Sequence, residues 1–191
     1  MRAIIYPAKL SLLLVLAILL GAGTGTTITP EFVSTPTATY DTVPVSEISA
    51  EDELWKPRVP FLRSALIERL RESGAFSQVL TSEPPSPSPT SIVLAGRVDK
   101  VDKGNRALRF LIGFGAGRAK VGGTFNITDA TGNELAKFRS EKTYGGGAGI
   151  GGLDMVDIEE LMSKLGEATA ESVVRWSRGE SIKPPTSEES Q

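Results

Sequence analysis

The chain has no histidine and no cysteine among its 191 residues. That excludes Ser-His-Asp and Cys-His catalysis, and zinc sites built from imidazole or thiolate. No S-x-x-K sequence supplies a Ser-Lys pair. Without cysteine there is no disulfide, so packing alone must hold the fold. The same lack removes the acceptor for a lipid anchor: Leu20-Gly21-Ala22 reads like the start of a lipobox, but Gly23 stands where the cysteine would be. Aromatic content is low, at 6%. Long apolar runs are missing too, since Leu10–Leu20 falls short of the ~20 residues that a spanning helix needs. Nor is there an excess of positive charge. With Arg2 and Lys9 of the leader set aside, 19 basic residues face 23 acidic ones, a net of −4. A nucleic-acid binder would show a basic patch instead, so no nucleic-acid partner is expected.

The N-terminus has the organisation of a secretory signal. In "MRAIIYPAKLSLLLVLAILLGAGTG", Arg2 and Lys9 form a positive start, Leu10–Leu20 an apolar centre, and small residues follow. We expect residues 1–23 to be a signal peptide, with an uncleaved membrane anchor as the alternative. Residues 24–40 ("TGTTITPEFVSTPTATY") are rich in Thr and Pro and lack periodicity, which suggests a flexible segment. A single α+β domain is expected over residues 41–178, and the tail 179–191 has too little apolar surface to fold.

Within that domain the periodicities are legible. "TVPVSEI" alternates as a strand, although Pro44 counts against a central one. In "VPFLRSALIERLRESGAF", Leu62, Ala65, Leu66 and Leu70 recur at helical spacing, with Pro60 suited to the first turn and Gly74 to the C-terminal cap. A proline-rich linker spans 81–91. "SIVLAGRVDKVDKG" reads as a strand whose end, Asp99 to Lys103, alternates in charge like a protected sheet edge. "AKVGGTFNITDATGNELAKFRSEKTY" reads as a hairpin turning at "DATGN". A glycine-rich bridge covers 145–152. The last helix runs from about Asp157 to Arg175, with Ile158, Leu161, Leu165, Ala168, Val173 and Trp176 as its apolar stripe. The expected fold is a two-layer α+β sandwich: a mainly antiparallel sheet of about four strands with two amphipathic helices on one face.

Motifs that suggest chemistry have structural explanations. Gly147, Gly149 and Gly152 satisfy G-x-G-x-x-G, but the preceding strand alternates and belongs to a hairpin rather than a βαβ unit. Asp154, Asp157, Glu159 and Glu160 crowd a helix start, where acidic side chains cap free N–H groups. Carboxylate chemistry of the glycosidase kind, the third reading, needs two acids facing across a cleft, and the sequence leaves open whether Asp129 or Asp154 meets such a partner. We therefore expect no catalytic residue, metal or cofactor. The apolar, glycine-interrupted stretch "RFLIGFGAGRAKVGG" remains. Glycine in such a strand context marks a bulge or close approach, and a contiguous apolar patch has an occupant. Leu111, Ile112, Phe114, Gly115, Gly117 and Arg118 are thus the candidate partner contact.

"GFGAGRAKV", "DATGNEL", the glycine-rich bridge and the closing amphipathic helix together resemble the bacterial envelope family called domain of unknown function 4410. The resemblance covers roughly Val43–Arg178. It implies export, often as a lipoprotein, with no established catalytic residues; the missing cysteine keeps lipid anchoring from carrying over. A looser similarity links the element order to small periplasmic envelope-assembly domains. The expectation is a non-enzymatic, exported protein, periplasmic or secreted or tethered by an uncleaved leader. It would act as an interaction or assembly module through an envelope protein partner or self-association. The alternative is a small-ligand-binding periplasmic domain closed by its glycine-rich loops.

Overall fold

The computed structural model describes residues 25–84, 86–104, 118–144 and 157–183. Strand β1 (Gly25–Val33) is followed by β2 (Thr42–Ala50), a short 3-10 helix (Glu53–Arg58) and helix α1 (Val59–Glu72). Then come β3 (Gln78–Leu80), β4 (Ile92–Asp102), β5 (Lys120–Asp129), β6 (Glu134–Thr143) and helix α2 (Ile158–Ser177). The strands form one sheet in the order β1-β6-β5-β4-β2-β3.

The sheet corrects the sequence-based expectation. It has six strands, not about four, and it is mixed rather than mainly antiparallel: β1, β6, β5 and β4 pair antiparallel, whereas β2 runs parallel to both β4 and β3. The α+β class itself stands. The two additional strands, β1 and β3, carry weak signals for physical reasons. β1 lies in the Thr/Pro-rich segment expected to be flexible, and only Ile28 along it is buried. Its Pro30 is tolerated because β1 is an edge strand with a register shift between Pro30 and Phe32. β3 is three residues long, too short to show a period. The parallel pairing arises because α1 carries the chain back to start β3 alongside the beginning of β2.

β4 is likewise an interior strand between β5 and β2, not the charged edge its sequence suggests. A register shift between Val98 and Lys100 marks a bulge there. Asp99 and Lys100 both find partners on β5 and β6. Arg139 Nη1 lies 2.7 and 2.8 Å from the two Asp99 oxygens, and Lys100 Nζ is 2.9 Å from Glu141. Alternating charge here serves a solvated sheet face rather than an exposed edge.

The core sits between the other face and the helices. Val45, Leu94, Val121, Phe125, Ile127 and Phe138 are fully buried, with the two phenyl rings stacked at 6.0 Å. Gly96 makes room for them, since a Cβ there would stand 2.4 Å from the Phe125 ring. From α1, Leu62, Leu66 and Leu70 pack inward; Ala65, the fourth member of the expected stripe, is half-buried. Every member of the α2 stripe is buried. Asp157 caps α2 by accepting from the Glu159 and Glu160 N–H groups at 2.8 and 3.2 Å. At the other end Trp176 stacks on Tyr40 at 5.6 Å and donates from Nε1 to the Ser34 carbonyl at 2.8 Å, tying α2 to the chain between β1 and β2.

The helices cross at Gly166, where a Cβ would lie 2.2 Å from the Leu62 carbonyl oxygen and 3.0 Å from the Leu66 nitrogen. Neither neighbour can yield, because both are helix backbone. Gly166→Ala should therefore cost about 1–3 kcal/mol, as overpacking does, even though alanine is the better helix former. Urea unfolding measures this directly, and a variant as stable as the parent would contradict the close crossing.

Candidate functional site

Of the six residues expected to form the partner contact, Leu111, Ile112, Phe114, Gly115 and Gly117 lie outside the described residues. Arg118 is described: it is half-buried and stands two residues before β5. The glycine-rich bridge 145–152 and Asp154 also fall outside, and with them the loops of the ligand-binding alternative. Among the described residues, no three Asp or Glu side chains are grouped as a metal site would require. Asp157 is occupied as a helix cap.

The perturbed acids are structural. Asp129 accepts from the hydroxyl and N–H of Thr131 and from the N–H and side-chain amide of Asn133, at 2.7 to 2.9 Å. These bonds close the β5–β6 turn and hold its carboxyl well below the usual range. Burial pushes the Glu141 carboxyl up, but hydrogen bonds and charge from Lys100 and Lys120 outweigh it and leave the pKa lowered. On β6, Lys137 is raised by its hydrogen bond and ion pair with Glu31, 2.8 Å away on β1. Each of these groups bonds within or across strand pairings, and none lines either recess found among the described residues.

Two recesses remain, one at each end of α1. The first is a groove of about 830 Å³ running along β2. β3 pairs only with Thr42, Val43 and Pro44, so β2 from Val45 to Ala50 has β4 on one side and no strand on the other among the described residues. The wall opposite this bare edge is the start of α1, with Val59, Pro60, Arg63 and Ser64. Arg63 occupies the point where β3 departs. Its Nη2 donates to the Val45 carbonyl at 2.8 Å and to the Thr81 carbonyl, and its Nε reaches the Ser46 carbonyl at 3.4 Å. The edge beyond, Glu47 to Ala50, is left to the groove. A sheet edge beside a helix can take up an extended peptide through main-chain hydrogen bonds.

The second recess, of about 400 Å³, lies where α1 and α2 end beside β1. Ile28, Val174 and Ile182 supply apolar lining, and Arg69, Arg175 and Arg178 supply charge. Sequence reasoning missed both recesses. The only signal for the first is Pro44, which marks the last residue paired with β3. For the second, the three arginines belong to solvated helix faces until the fold brings them together.

A family model described as "Domain of unknown function (DUF4410)" matches residues 37–148. Among solved structures, the PelC dodecamer from Paraburkholderia phytofirmans is similar at 18% identity and a TM-score of 0.49, covering 82% of this chain and 99% of that one. A PDZ domain protein from Parabacteroides distasonis is similar at 11% identity and a TM-score of 0.40, covering 91% of this chain and 40% of that one. No curated protein sequence matches the chain.

The lowered Glu141 pKa makes part of the stability pH-dependent. A carboxyl whose folded pKa is depressed stabilises the fold above its unfolded value, and that contribution fades as pH falls through the folded value. The parent should therefore be more stable than Glu141→Gln at pH 7. The gap should narrow below the ordinary value of 4.5. Urea midpoints taken from pH 7 to pH 3 read this out, and a gap that stays constant would contradict it.

Proposed function

This chain belongs to the DUF4410 family, and we propose that it is a non-catalytic interaction or assembly module of the bacterial cell envelope. The open edge of β2 carries that reading. Sheet edges left unpaired are covered, twisted away or charged in proteins that must avoid partners. β1 follows that rule with Pro30 and a register shift. β2 has such devices too, in Pro44, a register shift between Val45 and Ile48 and the charge of Glu47, yet Glu47 to Ala50 keeps no strand on its outer side among the described residues, and all four of these residues line the groove. The partner we propose is an extended segment of another protein, adding as a strand of about four residues between β2 and the first turns of α1.

The leader supports export, because a positive start, an apolar centre and small residues are what a signal peptidase substrate presents. The domain would then work in the periplasm or outside the cell, or from the membrane where the leader is retained. The absence of histidine and cysteine supports a non-catalytic role by removing the commonest nucleophile–base pairs.

Photo-cross-linking inside a two-membrane bacterium tests the proposal. A photoreactive residue at Ser49, in the groove, should give one discrete adduct. The same residue at exposed Lys164, on α2, should give none. Indistinguishable labelling from the two positions would overturn strand addition at β2, and an adduct confined to cytoplasmic proteins would overturn the envelope assignment.

A further inference from the structure

We infer that the recess at the ends of α1 and α2 is a binding site for a phosphoryl anion carried on a short apolar group. Its lining holds three arginines, Arg69, Arg175 and Arg178, and one carboxylate, Glu171, while Glu72 and Glu180 reach two of the arginines from outside it. Arg69 is engaged by Glu171 at 3.1 Å and Glu72 at 3.6 Å. Arg175 is engaged by Glu180 at 3.6 Å and by the Ser181 carbonyl at 2.7 Å. Arg178 has no carboxylate partner among the described residues.

A fourth cation reaches the wall of the recess through Thr26. Lys142 on β6 is half-buried, and the partner of its ammonium among the described residues is a neutral hydroxyl, Thr26 Oγ1 at 2.8 Å. Thr26 itself lines the recess. A partly buried ammonium without a counter-ion is costly, and an anion in the recess would relieve that cost.

Helix dipoles do not account for these charges. Cations near a helix C-terminus complement its carbonyls, but Lys142 is on a strand. The last turns are also closed by the chain's own groups. Ser73 N–H donates to the Arg69 carbonyl and Ser73 Oγ to the Leu70 carbonyl, while Gly179 and Glu180 N–H donate to the Trp176 and Arg175 carbonyls. Arg178 caps α2 through its backbone N–H, so neither its side chain nor that of Lys142 is needed as a cap.

The floor decides what the anion is attached to. Ile28, Val174 and Ile182 are buried residues that nevertheless reach the recess, so the ligand carries apolar atoms as well as charge. The volume of about 400 Å³ falls among small-ligand sites rather than surface ion pairs. Cations from two helices and a strand suit a tetrahedral phosphoryl group better than a planar carboxylate. The site is independent of the β2 groove, so either can fail without the other.

Titration calorimetry on the chain as isolated from expressing cells tests the inference, with hexyl phosphate, inorganic phosphate and hexanol as probes. Hexyl phosphate should bind, inorganic phosphate should bind at least ~10-fold more weakly, and hexanol should give no signal. Arg178→Ala and Lys142→Gln should each weaken hexyl phosphate roughly 10-fold, as losing one charged hydrogen bond does. Glu171→Gln should strengthen it, a direction that no loss of folding would produce. Vesicles of phosphatidic acid that displace hexyl phosphate would assign the group to a lipid headgroup; vesicles without effect would assign it to a soluble phosphate ester. Equal affinity for parent and all three variants, or equal affinity for hexyl and inorganic phosphate, would overturn the site.

Discussion

The contact on which the rest depends is the crossing of α1 and α2 at Gly166. A helix can rest its backbone on the Leu62 carbonyl only where a side chain is missing. That approach makes the two helices one layer, with α1 over β2 and β3 and α2 over β5, β6 and β1. The buried leucines of α1 and the apolar stripe of α2 then close on the same sheet face. Trp176, held by Tyr40 and the Ser34 carbonyl, fixes the far end of α2 and with it the path of the chain from β1 to β2.

Once α1 is placed, both recesses follow. Its fourteen residues span ~20 Å, long enough to line the β2 groove with Val59, Pro60 and Arg63 at one end and the cationic recess with Arg69 and Ser73 at the other. The same short β3 that lets α1 turn back also stops pairing at Pro44, which leaves the later half of β2 without a strand on that side among the described residues. Arg63 covers the first exposed carbonyls and leaves the rest. What the fold offers a partner is therefore set by where one strand ends, not by a cluster of reactive side chains.

Much of this was legible from periodicity. The two helices, the β5–β6 hairpin with its Asp129 turn, and the buried Trp176 stand in the sequence because each is a local pattern with a strong period or turn signal. β1 and β3 were not legible. β1 buries one side chain, so its Thr-rich stretch resembles a linker until β6 pairs with it, and β3 is shorter than any period. The charged end of β4 misleads for a related reason: alternation of charge means a solvated surface, and a sheet interior in strand order still has a solvated face. Of the candidate contact, Arg118 alone is described. The β2 groove joins residues between Ser46 and Glu83, and the cationic recess joins residues more than 100 positions apart, such as Ile28 and Val174, which no local pattern links.

The central claim is that β2 from Ser46 to Ala50 has no strand paired to its outer edge among the described residues. Amide hydrogen exchange on the isolated protein measures it most directly. The amides of this stretch turned away from β4 should exchange as fast as those of an exposed loop, while Phe125 and Ile127 in the middle of β5 exchange only on global opening. Protection of every amide from Ser46 to Ala50 to the level of Phe125 would contradict the account, because the edge would then be covered within the chain itself.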